Sequence, residues 1–171
     1  VPDNFYLGNS VQEEFVGLRE NYYSFKWGSA LIMVIDPYWY TMQKPNADGW
    51  GWTLGKQQYD WFKETLENSN SSYKFVFSHQ LVGGDSQGRG GVEKAGLFEW
   101  GGNNLDGSYG FGKYRPGWGK PIHQLLVDNN VDVFFHGHDH FFAKQELGGV
   151  IYQLVPQPSH PETNINPNGY G

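Results

Sequence analysis

The sequence predicts an α/β fold built on a largely parallel sheet. Three observations carry that prediction. The short segments Leu31–Ile35, Lys74–Ser78 and Val131–Phe135 have the length and apolar content of buried strands. Segments with helical periodicity lie between them. Two further strand-like segments flank Gly148-Gly149, a two-residue hairpin signal. Strands separated by helices pair in parallel and layer against those helices.

Residues 1–21 are weakly periodic and read as loop with room for a short turn of helix. Tyr22–Trp27 alternates and is aromatic-rich, as a half-buried strand is. Gly28-Ser29-Ala30 links it to Leu31–Ile35, which Asp36-Pro37 stops. Residues 37–52 are crowded with Trp and Tyr and read as an irregular loop. Leu54–Asn68 is the clearest helix. Leu54, Trp61, Phe62 and Leu66 form one stripe on it, and Thr53 is its expected cap. Lys74–Ser78 is a strand that runs into His79. Residues 81–118 hold half of the 24 glycines and read as a long loop insertion, with a short helix within Val92–Trp100. Pro121–Asn129 is a second helix: Pro121 suits its first position, and Ile122, Leu125 and Leu126 make its stripe. Val131–Phe135 is a further buried strand. Ala143–Leu147 and Val150–Val155 form the hairpin.

The chain of 171 residues suits a single domain, 1–171. It has no cysteine, which excludes disulfides, thiolate metal sites and cysteine nucleophiles. The longest apolar run falls far short of the ~20 residues of a membrane helix, so no membrane span is expected. Twelve basic against 18 acidic side chains give a charge of −6, and no nucleic acid-binding surface is evident.

The chemistry gathers at histidines. His136, His138 and His140 fall within five residues, directly after a buried strand. On an extended segment, His138 and His140 share one side. Neutral imidazoles there can hold a metal ion, and Gly137 allows a sharp turn. His79 also ends a strand. Carboxyl ends of parallel strands share one edge, where ligands bind. His79, His138 and His140 are therefore the candidate metal ligands. His136 is expected to be buried and hydrogen-bonded, His123 to pack or lie at the surface, and His160 to be a loop residue. Asp36 is expected to serve its Asp-Pro turn.

Gly137-His138-Asp139-His140 resembles the Gly-His-x-His motif of calcineurin-like metallophosphoesterases. Ser78-His79 is similar to the preceding strand-end histidine motif of that family. Asn21–Phe25 through Val34-Ile35-Asp36 resembles the paired core strands of the branch holding purple acid phosphatases and alkaline-phosphatase-D-like enzymes. The resemblance covers roughly residues 20–156. It implies a four-layer α/β/β/α sandwich and a metal-dependent phosphoester hydrolase, acting on monoesters or diesters. It implies two metal ions (Fe, Zn or Mn) and a metal-bound hydroxide that attacks phosphorus in line. By position, His79 and His138 correspond to ligands of the second metal and His140 to a ligand of the first.

The family's first three motifs, Asp-x-His, Gly-Asp-x-x-Asp and Gly-Asn-His-Asp/Glu, have no counterpart here. Gly8-Asn9 is followed by Ser10. The chain therefore reads as the C-terminal portion of a catalytic domain. Its remaining ligands and catalytic residues are expected in an N-terminal part of the same domain. Arg89 and Arg115, in the glycine-rich segment, are candidates for substrate phosphate. The branch's habit of export favours a secreted or periplasmic location.

Two other readings compete. A metallo-β-lactamase motif, His-x-His-x-Asp-His, is one residue longer than His136–His140. The alternative from another class is a non-catalytic recognition module, whose tryptophans in Pro37–Tyr40 and Gly49–Trp52 stack on carbohydrate rings.

Overall fold

The computed structural model describes residues 12–13, 17–18, 21–38, 49–82 and 90–156. Eight strands are β1 (Gln12–Glu13), β2 (Gly17–Leu18), β3 (Tyr23–Trp27), β4 (Ala30–Val34), β5 (Tyr73–Phe77), β6 (Val133–His136), β7 (Ala143–Leu147) and β8 (Val150–Leu154). The α-helices among the described residues are α1 (Lys56–Glu67), α2 (Phe98–Gly101), α3 (Phe111–Tyr114) and α4 (Ile122–Asp128), with a 3-10 turn at Gly49–Gly51. β1 and β2 pair with each other. The other six form one mixed sheet in the order β3-β4-β5-β6-β8-β7. β4, β5, β6 and β8 run parallel, and β3 and β7 are antiparallel edges. The α/β class and the predicted element order from residue 22 onward hold; within residues 1–21, where the sequence predicts no strand, β1 and β2 form a short antiparallel pair instead.

The register sorts side chains onto two faces. Leu31, Met33, Val76, Phe134, Val150, Tyr152 and Leu154 point to one face and are buried. Leu54, Tyr59, Phe62 and Leu66, from α1 and the residues before it, pack there with Ile122, Leu125 and Leu126 of α4. Each large apolar side chain so buried contributes roughly 1.5–3 kcal/mol. Tyr59 links the two helices: its hydroxyl donates to the Lys120 carbonyl (2.6 Å) and accepts from the Lys120 N–H (3.2 Å). Ile32, Val34, Phe75, Val133, Phe135 and Ile151 point to the other face and stay only half-buried, and Phe77 is 37% exposed. Among the described residues this is a broad, uncovered apolar sheet face, with Phe77 and Phe135 stacked at 4.7 Å.

Two helix starts differ from expectation. Gly55, not Thr53, caps α1, because the Thr53 hydroxyl accepts from the Gly55 N–H (2.9 Å) in a turn before the helix. Pro121 is the cap residue of α4 rather than its first helical residue; its ψ of 156° is extended. Gly148 and Gly149 both have positive φ, 60° and 85°, as a tight hairpin requires.

The described part of the glycine-rich segment, residues 90–118, is not a loose loop. It folds into α2 and α3 and packs Phe98, Trp100, Phe111 and Trp118 inward. A buried ion pair holds it. Glu99 is wholly buried, and Arg115 Nε donates to its carboxylate at 2.5 Å. The Leu54 N–H donates to the same carboxylate at 2.8 Å. Nη1 of Arg115 donates to the Tyr114 carbonyl (2.9 Å), and Nη2 to those of Trp50 (2.7 Å) and Trp52 (3.2 Å). Burial raises the Glu99 pKa, and the guanidinium counters that rise. Removing one partner leaves the other charge buried and uncompensated. Arg115→Ala should therefore cost about 3–5 kcal/mol of unfolding free energy in urea denaturation. A loss below about 1 kcal/mol would show that the clamp is dispensable.

A second buried chain crosses the core. Trp100 Nε1–H donates to the Tyr152 hydroxyl (2.9 Å), which lies 2.7 Å from His123 Nδ1. An indole only donates, so the Tyr152 oxygen accepts from Trp100, and the direction of its bond to His123 follows the imidazole tautomer. Burial lowers the His123 pKa below 6.5. The unfolded chain thus takes up that proton first as pH falls, and the folded state loses stability below about pH 6.5. In paired denaturation curves at pH 7.5 and 5.5, His123→Gln should lose less stability than the parent. Equal losses would remove His123 from the acid dependence.

Candidate metal centre at the sheet edge

The parallel register brings the ends of β4, β5, β6 and β8 to one edge. The ladder also continues past the strands. Ile35 N–H donates to Phe77 C=O (2.9 Å), and Ser78 N–H to Phe135 C=O (3.0 Å). Gly137 N–H donates to His79 C=O (2.9 Å), and Val155 N–H to His136 C=O (2.8 Å). The backbones carrying His79 and Gly137 are therefore fixed against each other.

His79 and His138 meet, as the strand-end argument expects. Nε2 of His79 lies 3.0 Å from Nδ1 of His138, with the ring planes at 84°. Partial burial, and then the neighbouring His138 and His140, lower the His79 pKa. A neutral imidazole has a lone pair to offer a metal. His140 is exposed. Asp139 accepts a long hydrogen bond from the Gly90 N–H (3.4 Å), tying the glycine-rich segment to the histidine loop.

The local backbone departs from the expected extended run. β6 ends at His136, and His138 and His140 have φ of 79° and 54°. Left-handed backbone at non-glycine residues costs free energy, and Phe98 and Asn130 adopt it as well. The turn does not depend on Gly137. That residue lacks a positive φ, and a Cβ there would meet only ordinary contacts, the nearest at 3.6 Å.

The other histidines divide. His136 is 4% exposed as expected, but both its ring nitrogens are buried without hydrogen-bond partners. It lies parallel to Phe134 at 5.5 Å and edge-on to Tyr152, and burial depresses its pKa to about 4. His123 serves the core chain described above. His160 lies outside the described residues, as does Arg89. Arg115 has four of its five N–H donors engaged, one on Glu99 and three on backbone carbonyls, and its guanidinium lies over Trp50 and Trp118. The two described tryptophans of the aromatic loop are also occupied within the chain. Trp50 stacks on Tyr114 at 4.5 Å, and Trp52 is buried edge-on to Tyr38. Trp39 and Tyr40 lie outside the described residues.

Sequence reasoning passed over Tyr38 and Gln80. The Tyr38 ring lies 5.8 Å from the His79 ring, and its hydroxyl is bonded to Gln80 Oε1. The available signal was position alone: Gln80 adjoins His79, and Tyr38 follows the Asp36-Pro37 turn at the end of β4.

Does the donor set fit a metal? Two nitrogens 3.0 Å apart suit two ligands on one ion, given metal–nitrogen bonds of about 2.0–2.1 Å. A catalytic zinc takes about three protein ligands and a structural one about four. Among the described residues, no group of three or more His, Asp or Glu is arranged to hold an ion. The pair fits as part of a site. No described helix is long and apolar enough to cross a membrane.

No family model matches the chain, and no curated protein matches it. Solved structures do resemble it. One is GAP50, the anchor in the inner membrane complex of Plasmodium, at 15% identity and a TM-score of 0.43. That match covers 79% of this chain and 36% of GAP50. Another is the purple acid phosphatase PPD1 from yellow lupin (Lupinus luteus) seeds, at 15% identity and a TM-score of 0.41. It covers 83% of this chain and 24% of the phosphatase. The chain thus spans about a third and a quarter of their lengths. Likeness at this level carries no functional argument, which has to come from the residues at the edge.

Expected for the edge itself is weak metal capture. Zn²⁺ titrated calorimetrically into the chain should bind, and His138→Ala should lower its affinity by more than the roughly 10–100-fold that loss of an outer partner costs. Unchanged affinity in His138→Ala would remove this residue from the ligand set.

Proposed function

We propose that the chain is the C-terminal portion of a metal-dependent phosphoester hydrolase and carries part of its dinuclear site. The 3.0 Å approach of His79 and His138 at the carboxyl edge of a parallel sheet supports this reading above all else. His79 and His138 are proposed as ligands of one ion. His140, on the same strained loop, is proposed for the other. Fe, Zn and Mn all accept imidazole. When bound, such ions lower the pKa of water and stabilise charge on phosphorus-bound oxygens.

The chain's own residues have a separate task. The ladder bonds fix the backbone of His79, and the lowered pKa of His79 keeps its imidazole neutral near pH 7. Arg89 remains the proposed contact for substrate phosphate, because Arg115 is committed to Glu99.

The uncovered sheet face supports the second half of the reading. Phe77, Phe135 and Val155 carry that apolar surface up to His79, where they line a cavity with Ser78 and His136. A sheet packed on this face, as in a four-layer sandwich, enters beside the histidine pair. It can then bring the carboxylates that the described site lacks.

The deciding experiment titrates Mn²⁺ and Zn²⁺ into this chain alone and into the complete domain, with p-nitrophenyl phosphate turnover measured on both. The complete domain should bind two ions and turn over; this chain should bind one at most and show no turnover. Two tightly bound ions with turnover by this chain alone would overturn the half-site. Absence of metal binding in the complete domain would overturn the hydrolase reading.

A further inference from the structure

Asp36-Pro37-Tyr38 follows β4 directly, and its backbone is held on every side. One carboxylate oxygen of Asp36 accepts from the Tyr38 N–H (2.7 Å), closing an Asx-type turn. The other accepts from Asn21 Nδ2 (2.7 Å). The Asp36 N–H donates to Gln58 Oε1 (2.7 Å), and Gln58 Nε2 donates back to the Asp36 carbonyl (2.9 Å). Gln58 is wholly buried in α1 and also donates to the Leu54 carbonyl (3.1 Å). A single amide therefore ties the turn to the helix.

The turn sends the Tyr38 ring across the end of β5. There it lies tilted 42° against the His79 ring at 5.8 Å and edge-on to buried Trp52 at 5.6 Å. Its hydroxyl donates to Gln80 Oε1. Burial, and then Asp36, raise the phenol pKa, so the proton stays on the oxygen. Gln80 is buried, and its Nε2 has no hydrogen-bond partner. Its carbonyl accepts from Ser78 Oγ (2.9 Å). The residues on both sides of His79 are thus pinned, and among the described residues its imidazole has two ring neighbours, Tyr38 and His138.

We propose that Tyr38 is a positioning residue for His79: its hydroxyl, anchored on Gln80, holds the ring that aims the His79 imidazole at His138. The proposal rests on the reading of His79 as a metal ligand, and it acts through that ligand without touching the ion. A fixed ring orientation matters because ligand imidazoles depend on outer partners for tautomer and direction.

Two variants test it, Tyr38→Phe and Tyr38→Leu, with Trp52→Phe as a packing control. The first readout is the long-range ¹H–¹⁵N NMR spectrum of the His79 ring in the metal-free chain at fixed pH, which reports its tautomer. The second is calorimetric titration with Zn²⁺ alone. Tyr38→Phe should change the His79 tautomer ratio and lower Zn²⁺ affinity by about tenfold. Tyr38→Leu should lower it by about 100-fold, the two ends of the range for outer-shell partners. Trp52→Phe should change neither. A His79 spectrum identical to the parent's in folded Tyr38→Leu overturns the proposal. If Tyr38→Leu does not fold, an identical spectrum in Tyr38→Phe does the same. If the parent binds no Zn²⁺, the metal reading fails while the NMR comparison still decides whether Tyr38 sets His79.

Discussion

One backbone hydrogen bond joins the two halves of the candidate site: Gly137 N–H to the carbonyl of His79, at 2.9 Å. It extends the β5–β6 ladder past the last paired residues and sets the two histidine loops at a fixed spacing. Without it, His79 and His138 would be tips of separate loops, nearly sixty residues apart in sequence. The parallel order of β4, β5, β6 and β8 makes the bond possible, because parallel strands end at a common edge. The core on the helix side keeps those strands in register.

The helix side and the open side of the sheet differ in kind. On the helix side, polar groups are tied into the packing: Glu99 to Arg115 and Leu54, Tyr152 to Trp100, Gln58 to Asp36. Buried polar groups need such partners, and these bonds hold irregular segments as firmly as strands. The open side has aromatic rings and β-branched residues, with few polar partners. Apolar surface left in water is unfavourable. The same face ends beside His79, with Phe77, Phe135 and Val155 lining the cavity there.

The strands and the two longer helices were legible because they rest on local periodicity. Leu31–Ile35 and Val131–Phe135 alternate between faces in the structure, yet their apolar content on both faces announced them. The hairpin was legible from Gly148-Gly149 alone, since both residues need positive φ. The glycine-rich segment was not legible. Its order comes from Glu99, a carboxylate that composition places on the surface and that Arg115 draws into the core. Long-range ion pairs leave no periodic trace. His136 misled for a related reason: a buried imidazole is expected to find partners, and here Phe134 and Tyr152 offer rings instead.

The site was half legible. Strand-end position anticipates that His79 and His138 meet, because topology alone brings those ends together. The direction of the side chains was not readable, since it comes from left-handed backbone at His138 and His140 rather than from strand alternation. That backbone is costly for residues with a Cβ. A glycine at either position would relieve it at once, and Gly137 stands next to His138 without taking that role. The strain therefore sits on His138 and His140, two of the candidate ligands. Phe98 and Asn130 adopt the same backbone, at φ of 49° and 53°, away from the histidines, so a positive φ by itself does not mark a ligand.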